Sequence, residues 1–497
     1  MLDRREFLKA AALAALAPAA CRRAPEADAG ETLVNDVHSQ LNPTRVAEVV
    51  PVGSLADLRA LVRRAAAAGL PVAVAGGRHA MGGQQFAAGG LLADTRGMAR
   101  VLGFDRERGL LEVEAGIQWP ELIAAYERLQ RGAPRPWGIA QKQTGADKMS
   151  IGGALGSNVH GRGLTLKPFV QDIEAFTLVD AAGEVRTCSR TEEPELFRLA
   201  VGGYGLFGPV HAVTLRLVPR RKLERVVEVI DRDALAGAFA RRIADGFLYG
   251  DFQFAVDPRS PDFLRRGVFS CYRPAPADAR EPKRQRRLSN AAWIELLRMV
   301  HEEPSRAFER YADYYLSTNG QLYWSDTQQL GFYPEGYHRR LDRRTGAEVP
   351  ATEIISEVYV PRAEIAPFLA EAADDLRASG TQVIYGTIRL IERDDETFLP
   401  WAKQPYACVV VNYHTPHSRE GIAGVAASFR QLIDRAAARG GSYYLTYHRY
   451  AARRQVEAAY PQFPDFLRAK LAHDPEERFQ SDWYRHYRAM FADAVST

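Results

Sequence analysis

Cysteine is scarce in this chain, and the few cysteines show no pattern of metal ligation. The 497 residues include only Cys21, Cys188, Cys271 and Cys408. No two of them have the close spacing of a zinc site, and without Cys21 an odd number remains, which cannot pair completely. We therefore interpret Cys188, Cys271 and Cys408 as buried thiols.

The signatures of several other protein classes are also missing. The sequence has no P-loop, no His-Glu-x-x-His motif, no Ser-His-Asp signature and no NAD-type nucleotide motif. A strand would place His414 and His417 on opposite faces, and Pro416 interrupts it, so we predict no metal site. A net charge of +4 is too small to favour nucleic-acid binding, and we interpret the densest basic run, Pro282–Leu288, as a solvated loop.

Two glycine-rich segments about 70 residues apart are the most informative feature of the chain. The first reads VAVAGGRHAMGGQ from Val72 to Gln84, an apolar strand that ends in a glycine turn beside His79. The second reads SIGGALGSNVHGRG from Ser150 to Gly163. Glycine lets the backbone approach a ligand closely, and successive turn N–H groups form an anion-binding concavity. Together the segments predict a site for a large diphosphate cofactor.

These segments resemble the vanillyl-alcohol-oxidase type of FAD flavoprotein, the family of aldonolactone oxidases, alditol oxidases and cytokinin dehydrogenases. Its members carry G-x-G-H-S or a variant, which Gly76-Gly77-Arg78-His79-Ala80 matches here. The resemblance runs from about Asn42 to Pro219, with a shorter piece near Asp474–Gln480. It implies a bound FAD, joined covalently to His79 as in many members.

The resemblance also assigns cofactor contacts to individual residues. Two departures from the family pattern affect the details of the site: Ala80 replaces a serine, and Pro209 replaces an aliphatic residue. The residues expected to contact FAD are Gly76, Gly77, Arg78, His79, Ala80, Gly82, Gln84, Thr144, Ser150, Gly152, Gly153, Gly156, Ser157, His160, Gly161, Gly208 and Val210.

The order of elements predicts an α+β fold. A strand at Val46–Val50, a helix from Ser54 to Ala68 with Ser54 as N-cap, and a strand at Pro71–Ala75 form a β-α-β start. By resemblance, we expect a two-subdomain, PCMH-type FAD-binding domain at residues 42–221 and an antiparallel-sheet substrate (cap) domain at 222–440. A C-terminal segment, 441–497, should return to the FAD-binding domain.

The N-terminus has the pattern of an export signal. Residues 1–20 combine a charged start, a short apolar run and small residues, and the run is too short to span a membrane. Arg4-Arg5 followed by Phe7-Leu8 fits the twin-arginine pattern, whose pathway exports folded proteins. We therefore expect a periplasmic or exported protein. Cys21 is placed as a lipidated cysteine would be, but Pro18 stands where leucine is usual, so the lipid anchor stays open.

Polar residues alternate with apolar ones along two predicted cap strands, Val383–Ile391 and Cys408–His414. Because the side chains of a strand alternate between its two faces, each strand gathers these positions on one side. Such a side either faces solvent, as in many antiparallel sheets, or covers the flavin and contacts substrate. The residues gathered in this way are Tyr385, Thr387 and Arg389 on the first strand, and Val410, Asn412 and His414 on the second.

The family pattern identifies one of these residues but leaves the catalytic base open. Sugar and lactone oxidases carry a Glu-x-Arg pair on a cap strand beside the substrate. Here Arg389 matches the arginine, where a cation would stabilise the reduced flavin, but Thr387 occupies the glutamate position. The candidates for the base are His414, His448, Tyr447 and Glu392, and no spacing distinguishes them.

Three hypotheses about function follow. The first is an exported FAD-dependent oxidase that oxidises a C–OH group of a sugar, polyol or aldonolactone by hydride transfer to flavin N5, with oxygen as acceptor. The second is a flavin dehydrogenase on another alcohol or an amine, similar to cytokinin dehydrogenases, with a quinone or carrier as acceptor. The third is a lipoprotein that uses the flavin fold only for binding; both phosphate loops are intact, which argues against it.

Overall fold

The computed structural model describes residues 31–276, 278–280, 285–331 and 336–495. The export signal with Arg4-Arg5, and the candidate lipidation site Cys21, lie outside the described residues and stay predictions. Within the described ranges, helices and mostly antiparallel strands are mixed along the chain, so the α+β class is confirmed. No helix there is both long enough and apolar enough to cross a bilayer.

The N-terminal part, up to Pro219, supplies one wall of the site described below. Its strands are β1 (Thr32–Val34), β2 (Thr44–Val46), β3 (Glu48–Pro51), β4 (Val72–Ala75), β5 (Leu91–Asp94), β6 (Val101–Asp105), β7 (Leu110–Glu114), β8 (Trp137–Gly138), β9 (Ile173–Val179), β10 (Val185–Ser189), β11 (Val210–Arg216) and β12 (Val218–Pro219). Its helices are α1 (Leu55–Ala68), α2 (Trp119–Leu129), α3 (Ile151–Ser157) and α4 (Pro194–Ala200), with short 3-10 helices at Thr95–Gly97 and Phe169–Asp172.

The β-α-β start forms a small parallel sheet with the order β3-β5-β4. Ser54 caps α1 as predicted, because its Oγ accepts the N–H of Asp57. The helix stops at Gly69, whose left-handed conformation closes the last turn. The predicted strand at Val46–Val50 is divided between two strands, since β2 pairs with β1 and β3 pairs with β5.

A second sheet of the N-terminal part is antiparallel and has the order β10-β9-β11-β7-β6. Its apolar face packs against α2 and α3, and this layer contributes Val113, Leu155 and Val213 to the largest hydrophobic cluster. After Leu217, β11 is followed by the short β12, which pairs with β8 in a separate two-stranded sheet. Strand β4 of the parallel sheet leads into the first glycine-rich segment. Helix α3, which contacts β11 of the antiparallel sheet, belongs to the second segment.

The largest sheet is antiparallel and is called the cap sheet here. Its strands are β13 (Lys222–Asp231), β14 (Tyr249–Phe254), β15 (Arg266–Pro274), β16 (Leu322–Trp324), β17 (Ala351–Pro361), β18 (Val383–Ile391), β19 (Tyr406–Pro416) and β20 (Ser442–Tyr443). Their order is β16-β13-β15-β14-β18-β19-β17-β20. The helices between them are α5 (Leu235–Ala244), α6 (Asn290–Glu302), α7 (Pro304–Leu316), α8 (Tyr337–Thr345), α9 (Ile365–Ser379) and α10 (Arg419–Ala437), with 3-10 helices at Arg232–Ala234, Thr327–Gln329 and Arg362–Glu364.

The last part of the chain contacts both the cap sheet and the N-terminal part. Strand β20 pairs with β17, whereas Phe479 forms a parallel bridge with Val72. The Trp483 indole donates to the Leu445 carbonyl at 3.0 Å. The helices of this part are α11 (Arg453–Ala459), α12 (Phe463–His473), α13 (Asp482–Met490) and α14 (Ala492–Val495). The cap sheet begins at Lys222, the residue at which we expect the cap domain to begin. Its edge strand β20 lies beyond residue 440, the expected end of that domain. The limits of the domains stay predictions.

Candidate functional site

A cavity of about 1070 Å³ opens between the N-terminal part and the cap sheet. The two glycine-rich segments and the stretch from Gly205 to Val210 form one side of it. Strands β17, β18 and β19 form another, and α6 and α7 cover a third. Ligand pockets commonly measure about 300–1,000 Å³, so this cavity has room for a large cofactor together with a small substrate.

The first glycine-rich segment forms the turn after β4 and presses against the second. A Cβ atom on Gly76 would lie 2.1 Å from Ser150 Oγ, and one on Gly77 would lie 2.1 Å from the Lys148 carbonyl oxygen. No side chain fits at either position, which explains the glycine pair. The next residue, Arg78, has a positive φ of 56° and directs the chain back so that His79 lies on the cavity wall.

The second glycine-rich segment continues from that contact into α3. Ser150 caps the helix by accepting the Gly153 N–H at 3.2 Å. Gly152 packs so closely on Ala115 that an added Cβ would lie 3.0 Å from the alanine methyl carbon. The two segments therefore form one continuous wall of exposed backbone, the arrangement that a diphosphate group needs.

Most of the residues that the sequence assigned to FAD line the cavity. They come from both glycine-rich segments, from Thr144 before the second, and from the turn that precedes β11. Those on the wall are Gly76, Gly77, Arg78, His79, Ala80, Gln84, Thr144, Ser150, Gly152, Gly153, Gly156, Ser157, Gly208 and Val210.

Three residues assigned to FAD lie behind the wall rather than on it. Gly82 packs against the C-terminal segment, where an added Cβ would lie 2.4 Å from the Tyr447 carbonyl oxygen. The Gly161 N–H donates to the Gln141 side chain at 3.2 Å. His160 is fully buried and pairs with a glutamate of the cap sheet, as described below. The contacts described here are with other parts of the protein, and the assignment of these three residues to FAD stays a prediction.

Most of the positions gathered on one side of β18 and β19 are turned toward the cavity or buried, not toward solvent, whereas His414 near the end of β19 does not line the cavity. Tyr385, Arg389, Val410 and Asn412 line it, and Thr387 is fully buried. The Arg389 side chain is only 5% exposed, and its Nε has no hydrogen-bond partner among the described residues. A buried guanidinium requires a partner, so Arg389 is placed to bind a ligand group in the cavity.

The alternation along β18 is not perfect. Ile384, expected on the opposite face, also lines the cavity. The register with β19 shifts between the pairs made by Val383 and Tyr385, and such an irregularity places two consecutive side chains on nearly the same side.

Tyr447 is the one candidate base that lines the cavity, and it leads into a buried hydrogen-bonded chain. Its hydroxyl donates to Glu357 Oε2 at 3.1 Å, and Glu357 Oε1 lies 2.5 Å from His160 Nε2. Burial raises the pKa of Glu357, but His160 and Arg389 outweigh burial and hold it below its ordinary value. Burial and the adjacent Glu357 raise the pKa of Tyr447 well above its ordinary value.

The other candidates for the base do not line the cavity. His448 follows Tyr447 and points away from it, stacking on Tyr450 with ring centroids 5.0 Å apart; burial lowers the pKa of His448 to about 4. Glu392 pairs with Arg362 at 2.8 Å. His414 lies at the end of β19, opposite Glu353 of β17, with 3.3 Å between His414 Nδ1 and Glu353 Oε1.

Several cavity residues were missed by the sequence analysis. On β17, Glu353, Ile355 and Glu357 share one face; the first two line the cavity and Glu357 lies beneath Tyr447. Acidic residues four positions apart in an apolar strand were the available signal. The others, from β13, β14 and the second segment, had no local signal because they meet only through long-range pairing: Arg225, Asp251, Gln253 and Arg162.

The helical side of the cavity is rich in aromatic residues. Trp293 of α6, Tyr311 and Tyr315 of α7, and Trp324 of β16 line it. Arg286, Arg287 and Leu288 also line it, so the described end of the basic run Pro282–Leu288 belongs to the site and is not simply a solvated loop.

Comparison with known proteins identifies the glycine-rich wall. Residues 46–189 match the family model described as an FAD binding domain. The chain is 32% identical over 189 residues to an uncharacterized oxidoreductase, ORF5 in the fasciation locus, of Rhodococcoides fascians, which covers 38% of this chain and 40% of the relative. It is 32% identical over 200 residues to cytokinin dehydrogenase 4 of Oryza sativa subsp. japonica, covering 38% and 36%.

A third relative acts, by its name, on a lactone. The chain is 31% identical over 171 residues to the mitochondrial L-galactono-1,4-lactone dehydrogenase of Arabidopsis thaliana, covering 34% of this chain and 27% of the relative. The matches thus span less than half the length of these curated relatives. Residues 46–189 thus form an FAD-binding domain, which makes FAD the cofactor, and over this domain the chain is similar to flavin-dependent oxidoreductases.

Proposed function

We propose that this protein is an FAD-dependent oxidoreductase that oxidises a C–OH group of a small polar substrate, such as a sugar, polyol or aldonolactone. The observation that carries the proposal is the position of Arg389, a buried cation on the cavity wall whose Nε has no hydrogen-bond partner among the described residues. Tyr385 on the same strand and its cross-strand partner Asn412 on β19 line the same cavity, so hydroxyl groups of a polyhydroxylated substrate would find both donors and acceptors there.

FAD held on the glycine-rich wall would supply the oxidising chemistry, as the acceptor of a hydride from the substrate carbon. The protein must then take the proton of the substrate hydroxyl. We assign this role to Tyr447, because the residue lines the cavity and its hydroxyl donates to Glu357. As the phenol oxygen receives the substrate proton, the phenol proton passes to Glu357 and His160 behind it.

Arg389 contributes charge rather than proton transfer. It lies close enough to influence both Tyr447 and Glu357 electrostatically. A fixed cation in a water-poor cavity stabilises negative charge that develops on a ligand, and it does so more strongly than in water. We therefore assign Arg389 to binding the substrate or balancing the charge of the reduced cofactor.

The covalent link between His79 and FAD is part of the proposal. His79 lies on the cavity wall, close after the turn in which Gly76 and Gly77 pack too tightly for any side chain. Many family members join the flavin to the histidine at this motif position, which supports the same role for His79.

A second candidate function is a dehydrogenase that acts on an amine or a less polar alcohol and passes electrons to a quinone or another carrier. The aromatic side of the cavity favours it, because Trp293, Tyr311 and Tyr315 would suit a flat or apolar substrate. Relatives named cytokinin dehydrogenase add to that support. For the first candidate function, we also propose that oxygen accepts the electrons and that the folded enzyme is exported.

Product analysis with an artificial electron-accepting dye distinguishes the candidates without assuming the natural acceptor. Polyols, lactones, aromatic alcohols and amines would each be offered to the purified protein. The first candidate predicts dye reduction with polyols or lactones and a carbonyl product at the oxidised carbon. Turnover of amines alone, with an aldehyde and a free amine as products, would favour the second. A purified protein without flavin would leave only a non-catalytic binding role.

A further inference from the structure

A cluster of two histidines and one carboxylate lies at the margin of the cavity, outside the chain of groups behind Tyr447. His301, Glu353 and His414 each offer one ligand atom, and these atoms all lie within 4.8 Å of one another. Three separate elements bring them together: His301 is the penultimate residue of α6, Glu353 belongs to β17, and His414 belongs to β19. Glu353 and His414 are direct partners across the β17–β19 pair.

The distances suit a common metal ion. Glu353 Oε1 lies 3.3 Å from His414 Nδ1 and 3.7 Å from His301 Nε2. Zinc ligands lie about 2.0–2.1 Å from the ion, so two ligands at a tetrahedral angle are roughly 3.3 Å apart. The two imidazole rings meet at 78° with centroids 4.7 Å apart, and their ligand nitrogens lie within 4.8 Å of each other.

Two atoms of the cluster are buried without the partner that each needs. Glu353 is only 4% exposed, and its Oε2 has no hydrogen-bond partner among the described residues; the same holds for His301 Nε2. Buried polar atoms without partners are unfavourable. A metal ion held by Glu353 Oε1 would supply the partner of His301 Nε2, and a carboxylate that bound it through both oxygens would also satisfy Oε2. The Gln382 amide lies 3.4 Å from His301 Nδ1. With its oxygen turned to the ring, it would fix the tautomer that leaves Nε2 for a metal.

We propose that His301, Glu353 and His414 form a binding site for a divalent transition-metal ion of the zinc class. Two imidazoles and one carboxylate are a ligand set that suits such ions. Three protein ligands leave a further position for water or a ligand oxygen, and Glu353 lines the cavity, so that position opens toward the substrate space. A metal ion there would link α6, which covers the cavity and carries His301, to the cap sheet, which carries Glu353 and His414. It departs from the sequence-based expectation of no metal, which considered only His414 and His417.

The other cluster with metal-binding residue types does not support the same inference. His160, Glu357 and Cys408 are grouped, but both carboxylate oxygens of Glu357 already have hydrogen-bond partners, His160 and Tyr447. In the first cluster only Glu353 Oε1 has one within the described part of the chain, His414. His417 lies on a separate, smaller hollow and contacts Thr352 Oγ1 at 2.9 Å, so it serves as a control.

Zinc binding to the flavin-loaded protein tests the proposal, and it does not depend on catalysis. The protein would be stripped with a chelator and titrated with Zn²⁺ in competition with a chromophoric chelator, with bound zinc counted per flavin after gel filtration. We expect one zinc per chain in the wild type and in His417→Ala. Affinity should fall at least about a hundredfold in His301→Ala and Glu353→Gln.

A second measurement keeps the test independent of how the variants fold. Co²⁺ added to the stripped wild type should give visible difference bands of the intensity typical of a four-coordinate nitrogen and oxygen site, and Zn²⁺ should abolish them. Absence of stoichiometric zinc uptake and of these bands in the wild type would overturn the proposal. Unchanged affinity in folded His301→Ala and Glu353→Gln, or an equal loss in His417→Ala, would also overturn it.

Discussion

At the scale of single residues, His79 carries the most specific chemical expectation. If it is joined to the flavin, acid precipitation of the wild type should carry the yellow colour into the pellet. In His79→Ala the glycine turn and the second segment still form the wall, so the flavin should remain bound at neutral pH but pass into the acid supernatant. Release of all flavin from the acid-treated wild type would show that His79 is not bonded covalently to the flavin.

Arg389 is the residue whose removal should affect chemistry without affecting cofactor binding. A hydrogen bond to a charged group contributes about 1.5–3 kcal/mol, so Arg389→Ala should slow flavin reduction by roughly ten- to a hundred-fold. Flavin content should hardly change, because the residue lies on β18 and not on the glycine-rich wall. Stopped-flow reduction without oxygen measures this rate.

The exposed Arg393→Ala is the matched control for Arg389→Ala, since it removes the same charge just beyond the end of β18. It should reduce its flavin at the wild-type rate. If Arg389→Ala did the same, the cap strand would not contact the substrate, and the analogy with sugar and lactone oxidases would fail for this strand.

At the scale of elements, we expect the free energy of unfolding to depend on pH in an unusual way because of Asp172, the last residue of a 3-10 helix. Burial raises the pKa of Asp172 to about 7. The folded state therefore keeps a proton that the unfolded state loses above about pH 4. Stability should fall as pH rises from about 4 to 7, by up to about 1.4 kcal/mol per pH unit from this group, and then level off.

Asp172→Asn removes this titration while keeping the side-chain shape. The difference in unfolding free energy between variant and wild type should grow in favour of the variant from about pH 4 to 7, and stay constant above. Denaturant unfolding at several pH values measures it, with the exposed Asp278→Asn as the control for losing one carboxyl group. A pH-independent difference would place Asp172 in a polar environment.

The β-α-β start and the glycine turn that follows it could be predicted from the sequence because their signals are local. The helix cap at Ser54 and the turn at Gly76-Gly77 depend on neighbouring residues. The polar faces of β18 and β19 were also predictable, but only packing decided that they face the cavity. Glu357 and His160, 197 positions apart, meet through long-range pairing, which no local pattern could reveal.

The different positions of Tyr447 and His448 have the same origin. Tyr447 and His448 are consecutive, and the direction of the C-terminal segment determines which of them reaches the cavity. That direction is fixed by distant contacts, such as the Gln84 amide donating to the Thr446 carbonyl at 2.9 Å. Composition and spacing contain no information about it.

At the scale of the whole molecule, export by the twin-arginine route stays a prediction from Arg4-Arg5 and Phe7-Leu8. Changing both arginines to lysine should leave folded, flavin-containing protein in the cytoplasm, because this route depends on the arginine pair. Cell fractionation with flavin fluorescence measures the distribution. Normal accumulation of the double variant outside the cytoplasm would indicate another route.

The most direct test of the central claim is the visible spectrum of the purified whole protein before and after substrate is added without oxygen. The claim is that the cavity holds FAD on the glycine-rich wall and a polar alcohol against Arg389. We expect the oxidised flavin band to disappear on addition of a polyol or aldonolactone and to return when oxygen or an electron-accepting dye is admitted. A flavin band that no polyol, lactone, other alcohol or amine can bleach would contradict the account.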